Sequence, residues 1–277
     1  MVRIVTDSAS DIPPEVAQEL RISIVPMYVR FGSDVYRDGV ELRTDEFYRK
    51  LIASQTVPTT SSPKMKDFSE AYDRLAEETD EILSIHLSST FSSAYETAVR
   101  ASGRTKKECH VEVIDSRTAA MGLGLVVIAA AKQAQEGQTM QQIIKTVKKA
   151  APKARVYVCF ETLEYLKRGG RIGKAESLMG SSIKVHPIIG LENGEVKPLG
   201  RERSRSRALD RLCMLAEESA GVSGIAVEQG AAPNEADRLR TKLAAIFPGK
   251  DIYSSVFGSA VAVHTGPRVV GVCVLGG

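Results

Sequence analysis

Tryptophan is absent from this chain, and aromatic residues make up only 5% of its 277 residues. Few flat side chains are available to stack bases, which excludes a platform for single-stranded nucleic acid. Charge of one sign is also scarce. The net charge is +3, so no basic field points to a nucleic-acid partner. Cysteine is sparse too. Cys109, Cys159, Cys213 and Cys273 lie far apart and never form a Cys-x-x-Cys pair. That excludes a compact zinc site or a disulfide framework and predicts free thiols in a reducing compartment. The longest apolar run, MGLGLVVIAAA at 121–131, is too short to cross a bilayer. The opening residues MVRIVTDSAS read as a strand running into a polar turn, with no apolar run of leader type. A cytoplasmic location is expected.

What is present is ordinary for a globular protein: 43% hydrophobic and 26% charged residues. The length allows one large domain or two ordinary ones. Hydrophobic periodicity predicts strands at 2–5, 22–31, 81–86, 111–115, 155–160, 183–191, 195–199, 224–228, 252–256 and 269–275. It predicts helices at 13–20, 44–52, 64–78, 92–103, 119–136, 139–150, 206–220 and 234–247. Strands alternating with helices imply an α/β protein with a mostly parallel or mixed sheet and helices on both faces. Pro152 marks a boundary, giving an N-terminal α/β domain over 1–152 and a C-terminal mixed α/β domain over 153–277.

Two hydroxyl-dense segments carry the most chemistry: PTTSSP at 58–63 and SSTFSSAY at 88–95. Both read as turns beside helical patterns, and neither has an acid, a metal ligand or a general base next to it in sequence. Hydroxyls and backbone N–H groups near helix starts suit an anionic oxygen, such as a carboxylate or phosphate. They suit nucleophilic attack poorly without a base.

Other motifs are incomplete. Gly122 and Gly124 follow a strand but lack the third small residue of a dinucleotide fingerprint, since Val127 stands there, so close helix packing is the better reading. GVSGI at 221–225 is not G-x-S-x-G. His86, His110, His186 and His264 show no metal spacing. His264 stands apart because GSAVAVHTGPRVVG, 258–271, reads as a strand leading into a Gly-Pro turn, and a polar residue there faces a crevice. Arg201, Arg203, Arg205 and Arg207 would share one face of an extended stretch, as a solvated edge or as an anion-facing strip. Lys167, Arg168 and Arg171, interleaved with Gly169, Gly170 and Gly173, leave the same choice open.

Taken together, TDSASDIP (6–13), PTTSSP (58–63), SSTFSSAY (88–95), VIDSRTAAMGLG (113–124), LKRGGRIG (166–173) and HTGPRVVGV (264–272) resemble, in order and spacing, the signature segments of DegV proteins. The resemblance implies a two-domain α/β protein that binds one long-chain fatty acid, such as palmitate. The tail would lie in a tunnel and the carboxyl group near the interdomain cleft. It implies a non-catalytic binding protein, without cofactor or metal, that presents the acid to a separate fatty acid kinase. The acyl phosphate would then feed bacterial phospholipid synthesis. Carried over by motif, the carboxylate contacts are Thr60, Ser61, Ser92 and His264. Arg203 is the corresponding arginine after the hairpin, with Arg201 the alternative, and Arg171 is a further residue that could face the head group or phosphate. Peripheral contact with a membrane for lipid exchange also follows. The chain departs from the family pattern at Ser93-Ala94, where a glycine and a hydroxyl are usual, and at Arg268, where a small residue is usual.

Two other functions compete. One is a serine-dependent hydrolase of acyl esters, with Ser92 or Ser61 as nucleophile, His264 as base and Asp7 or Asp115 as orienting acid. The other is phosphate or nucleotide binding by LKRGGRIG, which lacks the G-K-[ST] ending because Ala175 follows Lys174.

Overall fold

A computed structural model of the chain describes residues 1–54, 56–105, 108–180 and 185–277. In chain order it begins with β1 (Arg3–Asp7), α1 (Pro14–Glu19), β2 (Ser23–Val25), β3 (Tyr28–Phe31), β4 (Asp34–Arg37), α2 (Thr44–Ala53) and β5 (Thr59–Ser61). α3 (Met65–Leu75), β6 (Glu81–His86), α4 (Ala94–Ser102), β7 (His110–Asp115), α5 (Ala120–Gln135) and α6 (Met140–Ala150) follow. The rest comprises β8 (Ala154–Cys159), α7 (Glu164–Arg168), β9 (His186–Glu192), β10 (Glu195–Glu202), α8 (Arg205–Glu217), β11 (Val222–Gly230), α9 (Pro233–Ile246), β12 (Ile252–Val256), α10 (Ser259–Thr265) and β13 (Val269–Gly276).

Three sheets result. Strands β2-β1-β6-β7 form a parallel sheet. Strands β4-β3-β5 form a small antiparallel one. Strands β10-β9-β8-β13-β11-β12 form a mixed sheet, antiparallel except for the β11–β12 pair. Every strand of the mixed sheet follows residue 153, and every strand of the other two precedes residue 116.

Alternation along each strand sorts side chains between layers. In β1, Ile4 faces the core shared with α5, while Val5 packs with Phe68, Tyr72 and Leu75 of α3. In β8, Val156 and Val158 face the shared core, while Cys159 packs with Leu209 and Leu212 of α8. α5 is apolar nearly all round and is buried between the sheets, against β1, β8, β11 and β13. Its two glycines are the points of closest approach. A Cβ on Gly122 would lie 2.5 Å from Val156 Cγ2, and one on Gly124 would lie 2.6 Å from the Ser10 carbonyl oxygen. These glycines bring the helix against both parts of the molecule at once.

The structure departs from the sequence reading in four places. The stretch 22–31 is two strands in different sheets, because the chain bends at Pro26 and the Met27 amide donates to Ser8 Oγ at 3.0 Å. Residues 59–61 are not a turn but an edge strand paired with β3. The stretch around His264 is α10 rather than a strand. Its Ala/Val alternation mimics a strand, but the segment wedges as a helix against α2, α7, β3 and β5. Arg201, Arg203, Arg205 and Arg207 share no strand face, because β10 ends at Glu202 and α8 begins at Arg205. The start of the strand expected at 183–191 lies outside the described residues; β9 itself begins at His186.

Candidate functional site

The apolar part of the site is built by strand alternation. Cross-strand pairs Val156–Leu191 and Val158–Ile189 of β8 and β9 lay four branched side chains on one face. That face meets Phe160, Phe257 and Ala260, and from the parallel-sheet side Ala9, Leu87, Ala119 and Ala120. Together they line a cavity of about 320 Å³.

The polar lining is contributed by Thr60, Ser61, Ser62, Ser92, Ser93, Arg171, His264 and Thr265, and among the described residues no aspartate or glutamate lines the cavity. The two hydroxyl-dense segments therefore meet in space. Ser62 Oγ and Ser93 Oγ are 2.8 Å apart, joining the end of β5 to the start of α4. Ser92 Oγ accepts from the Ala94 amide at 3.2 Å, which leaves its own O–H proton free to donate.

A base absent from the sequence neighbourhood of PTTSSP is brought to it by the fold. Thr60 Oγ1 lies 2.9 Å from His264 Nε2, across 204 residues of chain. Ala260 and His264 stand four apart on α10, so the helix presents both to the cavity. Burial, aided by the charge of Arg171, lowers the His264 pKa to about 4, so the ring is neutral at physiological pH. Its Nδ1 is buried without a partner among the described residues. Placing the ring proton on Nε2 leaves no buried N–H unpaired. Nε2 then donates to Thr60 Oγ1, and the Thr60 hydroxyl is free to donate into the cavity.

Arg171 is fixed rather than loose. Its Nε and Nη2 donate to the Phe91 carbonyl at 3.1 and 2.8 Å, and its Nη1 donates to the Gly169 carbonyl at 2.6 Å. It thus ties the glycine-rich segment to the loop that carries Ser92. Arg201 and Arg203 are not among the lining residues. Arg201 donates to the carbonyls of Ser177 and Met179 at 3.2 and 3.3 Å, and Arg203 is exposed between β10 and α8. LKRGGRIG holds the end of α7 and then a turn, and its first glycine has a steric duty. A Cβ on Gly169 would lie 2.1 Å from His264 Nδ1. The Gly169 backbone is helical, with φ of −76°, so alanine is allowed there except for that contact. Gly169→Ala is expected to displace His264 from Thr60 and to weaken binding of an anionic ligand by about tenfold, the size of one charge-assisted hydrogen bond. Calorimetric titration checks this, and an unchanged affinity would show that the His264–Thr60 pair does not bear on the ligand.

The hydrolase arrangement does not form here. Asp115 is taken by Ser89 and the Arg117 amide, and Asp7 by Ala9, His86 and Leu87. No described acid reaches His264 Nδ1. A Ser–His–Asp chain does exist elsewhere, as Ser84–His86–Asp7, but all three side chains have 0% exposure. It is a polar strut in the core, unable to meet a substrate. The sequence reading offered Asp7 only as a partner for His264; its pairing with His86 and Ser84 had no sequence signal, since β1 and β6 are separated by more than seventy residues. The apolar lining was equally hidden, because Val156, Val158, Ile189 and Leu191 look like any core residue of a strand.

Comparison with known proteins follows the same shape. A family model described as the DegV family matches residues 1–276. A DegV domain-containing protein of Streptomyces coelicolor is 37% identical, over 99% of this chain and 98% of the relative. Protein DegV of Bacillus subtilis is 30% identical, over 98% of each. Among solved structures, a DegV family protein of Thermus thermophilus described for its fatty acid binding superposes with a TM-score of 0.90 at 30% identity, covering 99% of each chain. B. subtilis DegV, described as a fatty acid binding protein, superposes with a TM-score of 0.89 at 29% identity, covering 100% of this chain and 99% of that one. A stearic acid-binding protein of Eubacterium ventriosum does so with a TM-score of 0.90 at 25% identity, covering 99% of this chain and 98% of that one.

Proposed function

This chain belongs to the DegV family, and we propose that it binds one long-chain fatty acid, with the tail in the apolar cavity and the carboxylate among Thr60, Ser61, Ser92 and His264. One observation carries the reading: the cavity of about 320 Å³ is apolar along β8 and β9, and hydroxyls from two segments, a neutral imidazole and a guanidinium also line it. Each buried methylene is worth about 0.8 kcal/mol, so a sixteen-carbon tail gains on the order of 10 kcal/mol gross. Ordering the ligand offsets several of those. A desolvated carboxylate without donors would cost much of the remainder, which is why the hydroxyls matter.

The protein acts as a binding subunit rather than an enzyme. Held by neutral donors instead of a tight ion pair, the carboxylate keeps an oxygen open to a separate fatty acid kinase. That kinase would make the acyl phosphate used in phospholipid synthesis. Arg171, already bound to Phe91, is the cation best placed to face the head group; Arg201 and Arg203, outside the cavity lining, fit a surface role toward the phosphorylating partner. In this reading residues 1–152 and 153–277 are its two domains, with the cavity between them, and the protein is cytoplasmic and meets membranes peripherally to exchange lipid. Among the described residues no helix is long and apolar enough to cross a membrane.

Native mass spectrometry after incubation with palmitate tests the reading, with the Thr60→Val, Ser92→Ala double variant as control. Wild-type protein is expected to carry one palmitate. The double variant is expected to bind it about a hundredfold more weakly, a loss of about 3 kcal/mol from two hydrogen bonds to a charged group. Only ligand-free wild-type protein would end the fatty-acid reading, and equal affinities would move the carboxylate elsewhere.

A further inference from the structure

A second polar cluster lies where the two sheet systems meet. Asp11, Asp38 and Glu228 come from the turn after β1, the segment after β4 and strand β11, and all three are buried. Asp11 Oδ1 accepts from the Gly258 amide at 3.0 Å, and the Asp11 carbonyl accepts from Ser255 Oγ. Asp38 Oδ2 accepts from Ser8 Oγ at 2.8 Å, and its carboxyl faces the first amides of α10, at Ser259 and Ala260. The start of α10 is thus held by two acids that precede it by more than 200 residues. The other end of the same helix carries His264 into the cavity.

Glu228 completes the node from β11. Its Oε2 accepts from the Met121 amide in α5 at 3.2 Å and faces Cys273 Sγ at 3.6 Å. Asp11 Oδ2 and Glu228 Oε1 are buried and receive no donor from any other described side chain or amide. The two carboxyl groups nevertheless lie within hydrogen-bond reach of each other. Two carboxylate anions cannot donate to one another. A proton between them supplies the missing donor and removes one buried charge.

The surroundings offer no other remedy. The titratable groups facing the pair are Asp38, Tyr48 of α2 and Cys273 of β13, each neutral or negative. No described cation forms an ion pair with Asp11, Asp38 or Glu228. Burial, then the charge of Glu228, pushes Asp11 well above the usual carboxylate range, and burial lifts Glu228 to about 7.

We propose that Asp11 and Glu228 keep a proton between them, and that this acid pair is a positioning device that holds α10, and through it His264, against the cavity. The proposal rests on the fatty-acid reading for what His264 does, and on packing alone for how α10 is held. The linkage has a definite sign. Both acids have a higher pKa folded than unfolded, so the pair's contribution is complete below the ordinary carboxylate range and falls as the pH rises, first through about 7 where Glu228 ionises and again where Asp11 gives up the proton they then share. The grip on α10 weakens on the alkaline side.

Hydrogen exchange of amides 259–266 in ligand-free protein, corrected for the intrinsic rate, reads the device directly. In wild type, protection is expected to fall about tenfold between about pH 6 and about pH 9. Glu228→Gln still donates to Asp11 but carries no charge, and should keep protection level over that range. Asp11→Asn should do the same, and serves if the first variant fails to fold. Level protection in wild type, or the same fall in both variants, overturns the proposal. Palmitate titration on the same samples separates the two claims. Wild type that shows the fall but binds no palmitate removes the fatty-acid reading and leaves the acid pair standing. Palmitate binding with level wild-type protection removes the acid pair alone.

Discussion

Shortening the ligand from hexadecanoic to octanoic acid is expected to weaken binding by about four powers of ten. The arithmetic is local to the apolar lining. Eight methylenes at about 0.8 kcal/mol each come to roughly 6 kcal/mol of transfer free energy, and about 1.4 kcal/mol is a factor of ten. The shorter acid recovers part of this, because fewer rotatable bonds are ordered on binding. The head group is identical in the two acids, so Thr60, Ser92 and His264 contribute equally and cancel. Isothermal titration of acids of eight, twelve and sixteen carbons would show a near-constant step per methylene for as long as the tail stays within the pocket of Val156, Val158, Ile189, Leu191 and Phe257. A plateau before sixteen carbons would mark the cavity's end. Affinities that do not change with length would show that the tail stays in solvent and would remove the cavity from the mechanism.

Asp7→Ala is expected to destabilise the fold by about 4 kcal/mol. Asp7 is fully buried at the end of β1 and serves three donors. Oδ1 takes the Ala9 amide at 3.1 Å; Oδ2 takes the Leu87 amide at 3.0 Å and His86 Nδ1 at 2.9 Å. One order of protons satisfies the whole chain beyond it: Tyr72 donates to Ser84, Ser84 donates to His86 Nε2, and His86 Nδ1 donates to Asp7. Alanine strands three buried donors at about 1–3 kcal/mol apiece, some of it relieved by local adjustment. Asp7→Asn keeps one acceptor and should lose less. Urea unfolding measures both. A loss under about 1 kcal/mol for Asp7→Ala would mean that the strut carries little of the stability. The same substitution reaches the cavity, because Ala9 and Leu87, whose amides Asp7 holds, both line it. Ligand binding should therefore weaken together with stability.

Most of the element order was legible because its signals are local. The capping box of Thr139 and Gln142 starts α6 where the sequence places it. The apolar residues of β6 mark its limits at Glu81 and His86. The turn at Asn193-Gly194 joins β9 to β10. The segments that failed were those whose local pattern competes with packing. GSAVAVHTG alternates like a strand, yet only a helix there brings Ala260 and His264 to the cavity together. The arginines from 201 to 207 alternate evenly, yet a strand end and a helix start divide them.

From its residues alone the chain set its family, its α/β class and the identity of the hydroxyl segments, because periodicity, caps and motif order are carried by neighbours in sequence. Only the folded arrangement decided that Thr60 meets His264, that Asp11 meets Glu228, and that four strand residues wall a cavity instead of filling a core. The first two are contacts across roughly two hundred residues; the third depends on what the face of the β8–β9 pairs is packed against. They arise where α5 and α10 pack sheet against sheet, and no short window of sequence encodes which faces will oppose one another.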